Sequence, residues 1–124
     1  MKLPSKLSRS ERNPRPEVIE KPKRWRKPRH LNFVRGHACT ACGSTAGIQV
    51  AHVRNGTDGG MGMKPSDYFT VSLCRPCHDR QHSIGEDTFW KAAEIDALEA
   101  CLAFAKESPC SREIAEHKRE AAGE

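Results

Sequence analysis

Apolar residues recur along this chain in two rhythms, preceded by a stretch with neither. Up to residue 30 they are sparse and follow no period. Ile48-Gln-Val-Ala-His-Val53 and Phe69-Thr-Val-Ser-Leu73 are short and rich in β-branched residues, and each predicts a strand. Between them, Asn55 to Asp67 carries four glycines and a proline and has to be a loop. A helix is predicted from about Pro76, a residue suited to a first turn, past His82 to Gly85. From Glu86 to Lys106 the rhythm becomes helical. At about 100° per residue, Trp90, Ala93, Ala97, Leu98, Cys101 and Phe104 share one broad arc, opposite Asp96, Glu99 and Lys106. One long helix is expected there. Ser108-Pro109 reads as the start of a last, mostly polar helix ending near Glu120.

Composition sharpens this picture. Only 36% of the 124 residues are apolar and 30% are charged, so the core is small and a metal staple would help close it. The charge is unevenly spread: a net +8 over residues 1–30, +2 over 31–85 and −5 over 86–124. Residues 1–30 also hold five of the eight prolines, which predicts a disordered basic arm. Residues 31–85 form the expected core and 86–124 a C-terminal helical segment. Within the arm, Lys21, Lys23, Arg24, Arg26, Lys27 and Arg29 surround Trp25, so nucleic acid is the first partner to expect. Trp25 either stacks on a base or packs on the domain. With no long apolar run and no signal-like segment, the chain is expected to be cytoplasmic, without a membrane partner.

The chemistry lies in two cysteine pairs. Cys39-x2-Cys42 and Cys74-x2-Cys77 are 31 residues apart, and four thiolates in two such pairs suit one structural Zn2+. The second pair runs into His78-x3-His82, whose imidazoles share one helix face. A Cys2His2 finger is excluded, because the 35 residues between Cys42 and His78 far exceed the roughly twelve that fold allows. His78 and His82 are therefore candidates for a second, catalytic divalent ion (Mg2+ or Mn2+). His52, on the first strand, is the candidate general base. His30, His37 and His117 are expected at the surface, Cys101 and Cys110 as ordinary thiols, and Trp90 and Phe104 in the core.

Cys39-Thr-Ala-Cys42, Ala51-His52-Val53, Gly59-Gly-Met-Gly-Met-Lys-Pro-Ser-Asp67 and Leu73-Cys-Arg-Pro-Cys-His-Asp-Arg-Gln-His82 together resemble the HNH, or ββα-metal, endonucleases built on a treble-clef zinc knuckle. Among these, the pattern is most similar to the phage Ref-type nucleases that act with a RecA-type recombinase filament. The resemblance covers about residues 37–90. It implies an α+β fold with a zinc knuckle, His52 as base, His78 and His82 on the catalytic ion, and cleavage of DNA in the host cytoplasm. Ala51 stands where many members carry a third ligand, which leaves Asp67, Asp79 or water for that role; Asp67 is also the nearest counterpart of the family's middle Asn. A non-catalytic zinc-knuckle protein that binds DNA, or RNA, is the alternative from another class.

Overall fold

The computed structural model describes residues 24–59 and 63–123. It is a mixed α+β fold of helix α1 (Pro28–Arg35), strands β1 (Ile48–His52) and β2 (Thr70–Cys74), and helices α2 (Arg75–Ile84), α3 (Glu86–Ala93), α4 (Ala97–Glu107) and α5 (Ser111–Ala121). The strands pair antiparallel, with Ile48 opposite Cys74, Val50 opposite Ser72 and His52 opposite Thr70. β1 is fully buried only at Ala51, whereas β2 is buried at all five positions. The difference follows from packing: α1 crosses both strands, α4 lies against β2, and α2 folds back on the hairpin.

Two apolar clusters hold these layers together. Ala51, Val53, Val71, Leu73, Phe89, Trp90 and Cys101 form the main core, which reaches Cys39 and Cys74 and has Phe104 at its margin. Tyr68, Ala105, Cys110 and Ile114 form a second, with Trp25 and Phe69 against it. Cys101 is buried and its thiol is pushed up to about 12, first by that burial, so it serves as a small apolar residue. No helix among the described residues is long and apolar enough to cross a membrane.

Three expectations need correction. Residues 24–30 belong to the fold: α1 begins at Pro28, and His30 and Val34 on its inner face are fully buried. Residues 1–23 lie outside the described part. The long helix expected over 86–106 is two, because Glu94 takes a left-handed conformation (φ 56°) and the Asp96 side chain accepts from the Glu99 N–H to begin α4. Asp96-x2-Glu99 is a capping sequence, which the apolar arc across residues 86–106 masks. The last helix starts at Ser111, while Ser108 is buried and bonded to the Cys110 N–H.

The histidines expected at the surface are also placed otherwise. His37 is half-buried, edge-on to Phe33 and Phe104 at 4.7 and 5.1 Å, and His117 bonds the Tyr68 hydroxyl at 2.8 Å. His30 is fully buried, with Nδ1 2.8 Å from Ser108 Oγ. Each packs its ring and bonds through a nitrogen, which a hydropathy pattern cannot show.

Burial holds the His30 pKa below 6.5, with a smaller opposing pull from Asp67. The unfolded chain therefore takes up this proton first as pH falls. The stability contributed by the neutral imidazole is complete above the unfolded pKa and declines below it. We expect the urea midpoint of the wild type to drop between about pH 7.5 and about pH 5.5 by more than that of His30→Gln. Equal drops would remove His30 as a source of acid sensitivity.

Candidate metal centre and cleft

Two local structures deliver the four cysteines. The first pair sits on a knuckle: the Gly43 N–H donates to the Cys39 carbonyl at 2.9 Å, and Gly43 closes the turn at φ 78°, a region where a glycine costs little. Thr40 N–H donates to the Ser72 carbonyl, and Ser72 Oγ donates to the Ala38 carbonyl, tying the knuckle to β2. The second pair spans the junction of β2 and α2, with Cys74 as the helix N-cap and Cys77 in its first turn. The four sulfurs all lie within 4.8 Å of one another, with Cys42 and Cys74 Sγ 3.6 Å apart. A tetrahedral zinc with bonds of about 2.3 Å needs sulfurs roughly 3.8 Å apart. The cluster can therefore hold a metal ion such as zinc.

The acidity of these thiols supports that fit. At Cys39 burial opposes ionisation, but the backbone around Cys74, Cys42 and Ala41 and the Cys42 thiol outweigh it and bring the pKa down to about 6. Cys77 is pushed strongly up, by burial first and then by the other three sulfurs. At Cys42 the Ser44 backbone pulls down, yet the Cys74 and Cys39 thiols leave it raised. Cys39 thus ionises readily while Cys42 and Cys77 resist a further negative charge beside it, a balance that a divalent cation reverses.

Beside the cluster, Val50, His52, Arg54, Lys64, His78 and His82 line a cleft of about 600 Å3. The hairpin contributes His52 at the end of β1, and α2 contributes the other two, one turn apart. His78 Nε2 and His82 Nε2 face each other at 3.1 Å. His78 Nδ1 lies 2.9 Å from Gln49 Oε1, which can only accept, so Nδ1 carries the proton and the Nε2 lone pair accepts from His82 Nε2–H, a proton that a shared metal ion would displace. Burial, then His82 and His52, hold the His78 pKa down against Asp79, favouring the neutral form that ligates. Among the described residues the cysteines are the group in which three or more metal-competent atoms converge. The helix imidazoles form a pair, without a third side chain completing it. The cleft wall is fixed by Glu86, whose carboxylate accepts from the N–H groups of Arg54 and Asn55 at 3.0–3.1 Å.

Comparison with known proteins bears on this arrangement. The profile of the family described as "Protein of unknown function (DUF968)" matches residues 12–93, about two-thirds of the chain. The chain is a member of the DUF968 family. The DUF968 segment contains both cysteine pairs, the three cleft histidines, Gln49 and Glu86, and it ends with α3. A curated relative, "Uncharacterized protein YdfU" of Escherichia coli (strain K12), is 34% identical over 65 residues; the match takes in 52% of this chain and 18% of that protein. No solved structure matches.

The basic stretch of this DUF968 chain divides. Lys21 and Lys23 lie outside the described residues, and Arg29 is exposed. Trp25 packs on the domain, its ring 5.7 Å from His30 and 5.6 Å from Tyr68, and is not displayed for a base to stack on. Arg26 bonds the carbonyls of Lys64 and Pro65, and Lys27 Nζ pairs with Glu113 at 2.9 Å. Arg24 is half-buried. Asp67 is buried and lies against His52, not completing the helix pair: its Oδ1 is 3.1 Å from His52 Nε2 and 3.3 Å from Arg26, and Oδ2 accepts from the Lys27 N–H at 2.8 Å. Arg26 and the Lys27 N–H already donate to its oxygens and His52 lies against Oδ1, which makes it a poor metal ligand. Gln49 and Glu86 escape sequence reading because strand and helix bring them to the cleft across about thirty residues.

The DUF968 chain should bind one equivalent of zinc, and affinity should fall with pH because protons compete for the thiols. Cys77→Ser should lower the metal content and the melting temperature. Full zinc stoichiometry in Cys77→Ser would contradict the four-sulfur site.

Proposed function

We propose that this DUF968 chain is a metal-dependent DNA endonuclease of HNH type that hydrolyses phosphodiester bonds, its zinc knuckle supporting a ββα-metal site. The observation that carries the reading is the meeting of His52 with the His78/His82 pair in one cleft beside the cysteine cluster. His52 takes the proton of a water whose oxygen bonds to the scissile phosphorus, while the P–O3′ bond breaks with its electron pair going to the 3′ oxygen, which is protonated from solvent. A divalent ion held by His78 and His82 would supply charge stabilisation at the phosphoryl group and leaving oxygen. The products, on the resemblance, carry 5′-phosphates. Arg54 and Lys64 at the cleft edge give the phosphodiester backbone a cationic seat. A RecA-type filament is the partner that the resemblance suggests.

A second reading has its own support. Ala51 offers no donor, and the two helix imidazoles lack a third protein ligand among the described residues. A zinc-knuckle nucleic-acid-binding protein without activity would show that arrangement. Nicking of supercoiled plasmid in Mg2+ or Mn2+ supports the enzyme, whereas zinc binding and DNA binding without nicking support the binder.

His52→Ala should lower nicking by roughly a hundred- to ten-thousandfold with zinc content and DNA affinity unchanged. Undiminished cutting would refute the base assignment. Residues 1–23 hold seven Lys/Arg against three Glu. Deleting them should weaken DNA binding and flatten its salt dependence. An unchanged salt slope would show that the arm makes no phosphate contacts.

A further inference from the structure

Residues 25–27 run alongside residues 64–67 as a strap. Trp25 N–H donates to Ser66 Oγ at 2.9 Å, and Asp67 N–H donates back to the Trp25 carbonyl at 2.8 Å. Arg26 reaches the carbonyls of Lys64 and Pro65, and Lys27 N–H ends on Asp67 Oδ2. Ser66 is itself held from the other side by Asp58, which accepts from the Ser66 N–H at 2.8 Å. The Asp67 carboxylate, 6% exposed, is thus immobilised with one lone-pair direction aimed at His52 Nε2. Five of these bonds join segments about forty residues apart, so the aim is set by tertiary structure.

We propose that Asp67, held by the Trp25–Lys27 strap, is the positioning residue of the cleft, fixing His52 as the Nε2–H tautomer with Nδ1 free to take a proton. A carboxylate paired with Arg26 only accepts, so the proton between it and His52 resides on Nε2. Nδ1 then keeps the lone pair. The base is prepared by Asp67, and Asp67 is oriented by the segment that leads out of the basic arm. Its effect on rate rests on the nuclease reading; its effect on the imidazole does not.

Asp67→Asn separates the two. The Lys27 N–H and Arg26 both only donate, but the Lys27 N–H is fixed backbone whereas the Arg26 side chain is 43% exposed and can swing away, so the amide oxygen stays on Lys27 and the amide NH2 turns to His52 Nε2. That nitrogen must now accept, and the imidazole proton moves to Nδ1, as removing the acceptor from a catalytic histidine does elsewhere. The experiment is 15N-edited NMR of the imidazoles in full-length, zinc-loaded protein, with plasmid nicking measured alongside. We expect wild-type His52 as the Nε2–H form, a switch to Nδ1–H in Asp67→Asn, and a mixture of both in Asp67→Ala. Zinc content should be unchanged, and nicking in Asp67→Asn should fall roughly a hundredfold or more. A tautomer switch in a protein whose wild type does not nick supports the positioning role while removing the nuclease. A His52 tautomer unchanged in both variants would overturn the proposal.

Discussion

Four sulfurs within 4.8 Å of one another cannot all be ionised unless a cation shares their charge, and this electrostatic constraint organises the molecule. Cys39 and Cys42 come from a knuckle with little core of its own; Cys74 and Cys77 come from the place where β2 becomes α2. An ion joining them would close the chain between the knuckle and the helix and reinforce a small core. The same junction marks the start of α2, with Cys74 at the N-cap position and Cys77 in the first turn. Everything α2 carries is registered from that point.

The cleft inherits its geometry from there. His78 follows Cys77 directly, and His82 stands one turn on, so an ion at the sulfurs fixes both imidazoles against β1. From the other side, the hairpin register brings His52 opposite Thr70, and Gln49 reaches back to His78. Two rigid elements meeting at a fixed junction position the three histidines better than a mobile loop would. Glu86, in the first turn of α3, ties the turn after β1 to the far wall, so the cleft is closed by hydrogen bonds on a surface with little apolar material to spare.

Much of this was legible in the residues themselves. The two Cys-x2-Cys pairs, the β-branched runs and the His78-x3-His82 spacing depend on neighbours in sequence, and each lies where those patterns placed it. What escaped depends on contacts at long range. Nothing local distinguishes His30 from a surface histidine until α1 turns it towards Ser108, 78 residues away. The basic run around Trp25 has the composition of a solvated arm, yet backbone pairing with residues 64–67 draws its last part into the fold. Asp67 reads as available to a metal because its three partners come from β1 and from the strap, neither of which a linear reading brings near. The break between α3 and α4 was written locally in Asp96 and Glu99, but a continuous apolar arc argued louder. DUF968 membership covers the region of both sites without adding a chemistry to either.

The proposal on which this reading turns is a second, weaker cation site at His78 and His82, supported by the cysteine knuckle. It is tested most directly by titrating the full-length, zinc-loaded protein with Mn2+ while following the histidine ring resonances. The account predicts that the paramagnetic ion broadens His78 and His82 first, then His52, and spares His30 and His117, with the selectivity lost in His78→Ala. Broadening confined to the acidic helices α3 to α5, or unchanged by His78→Ala, would contradict it.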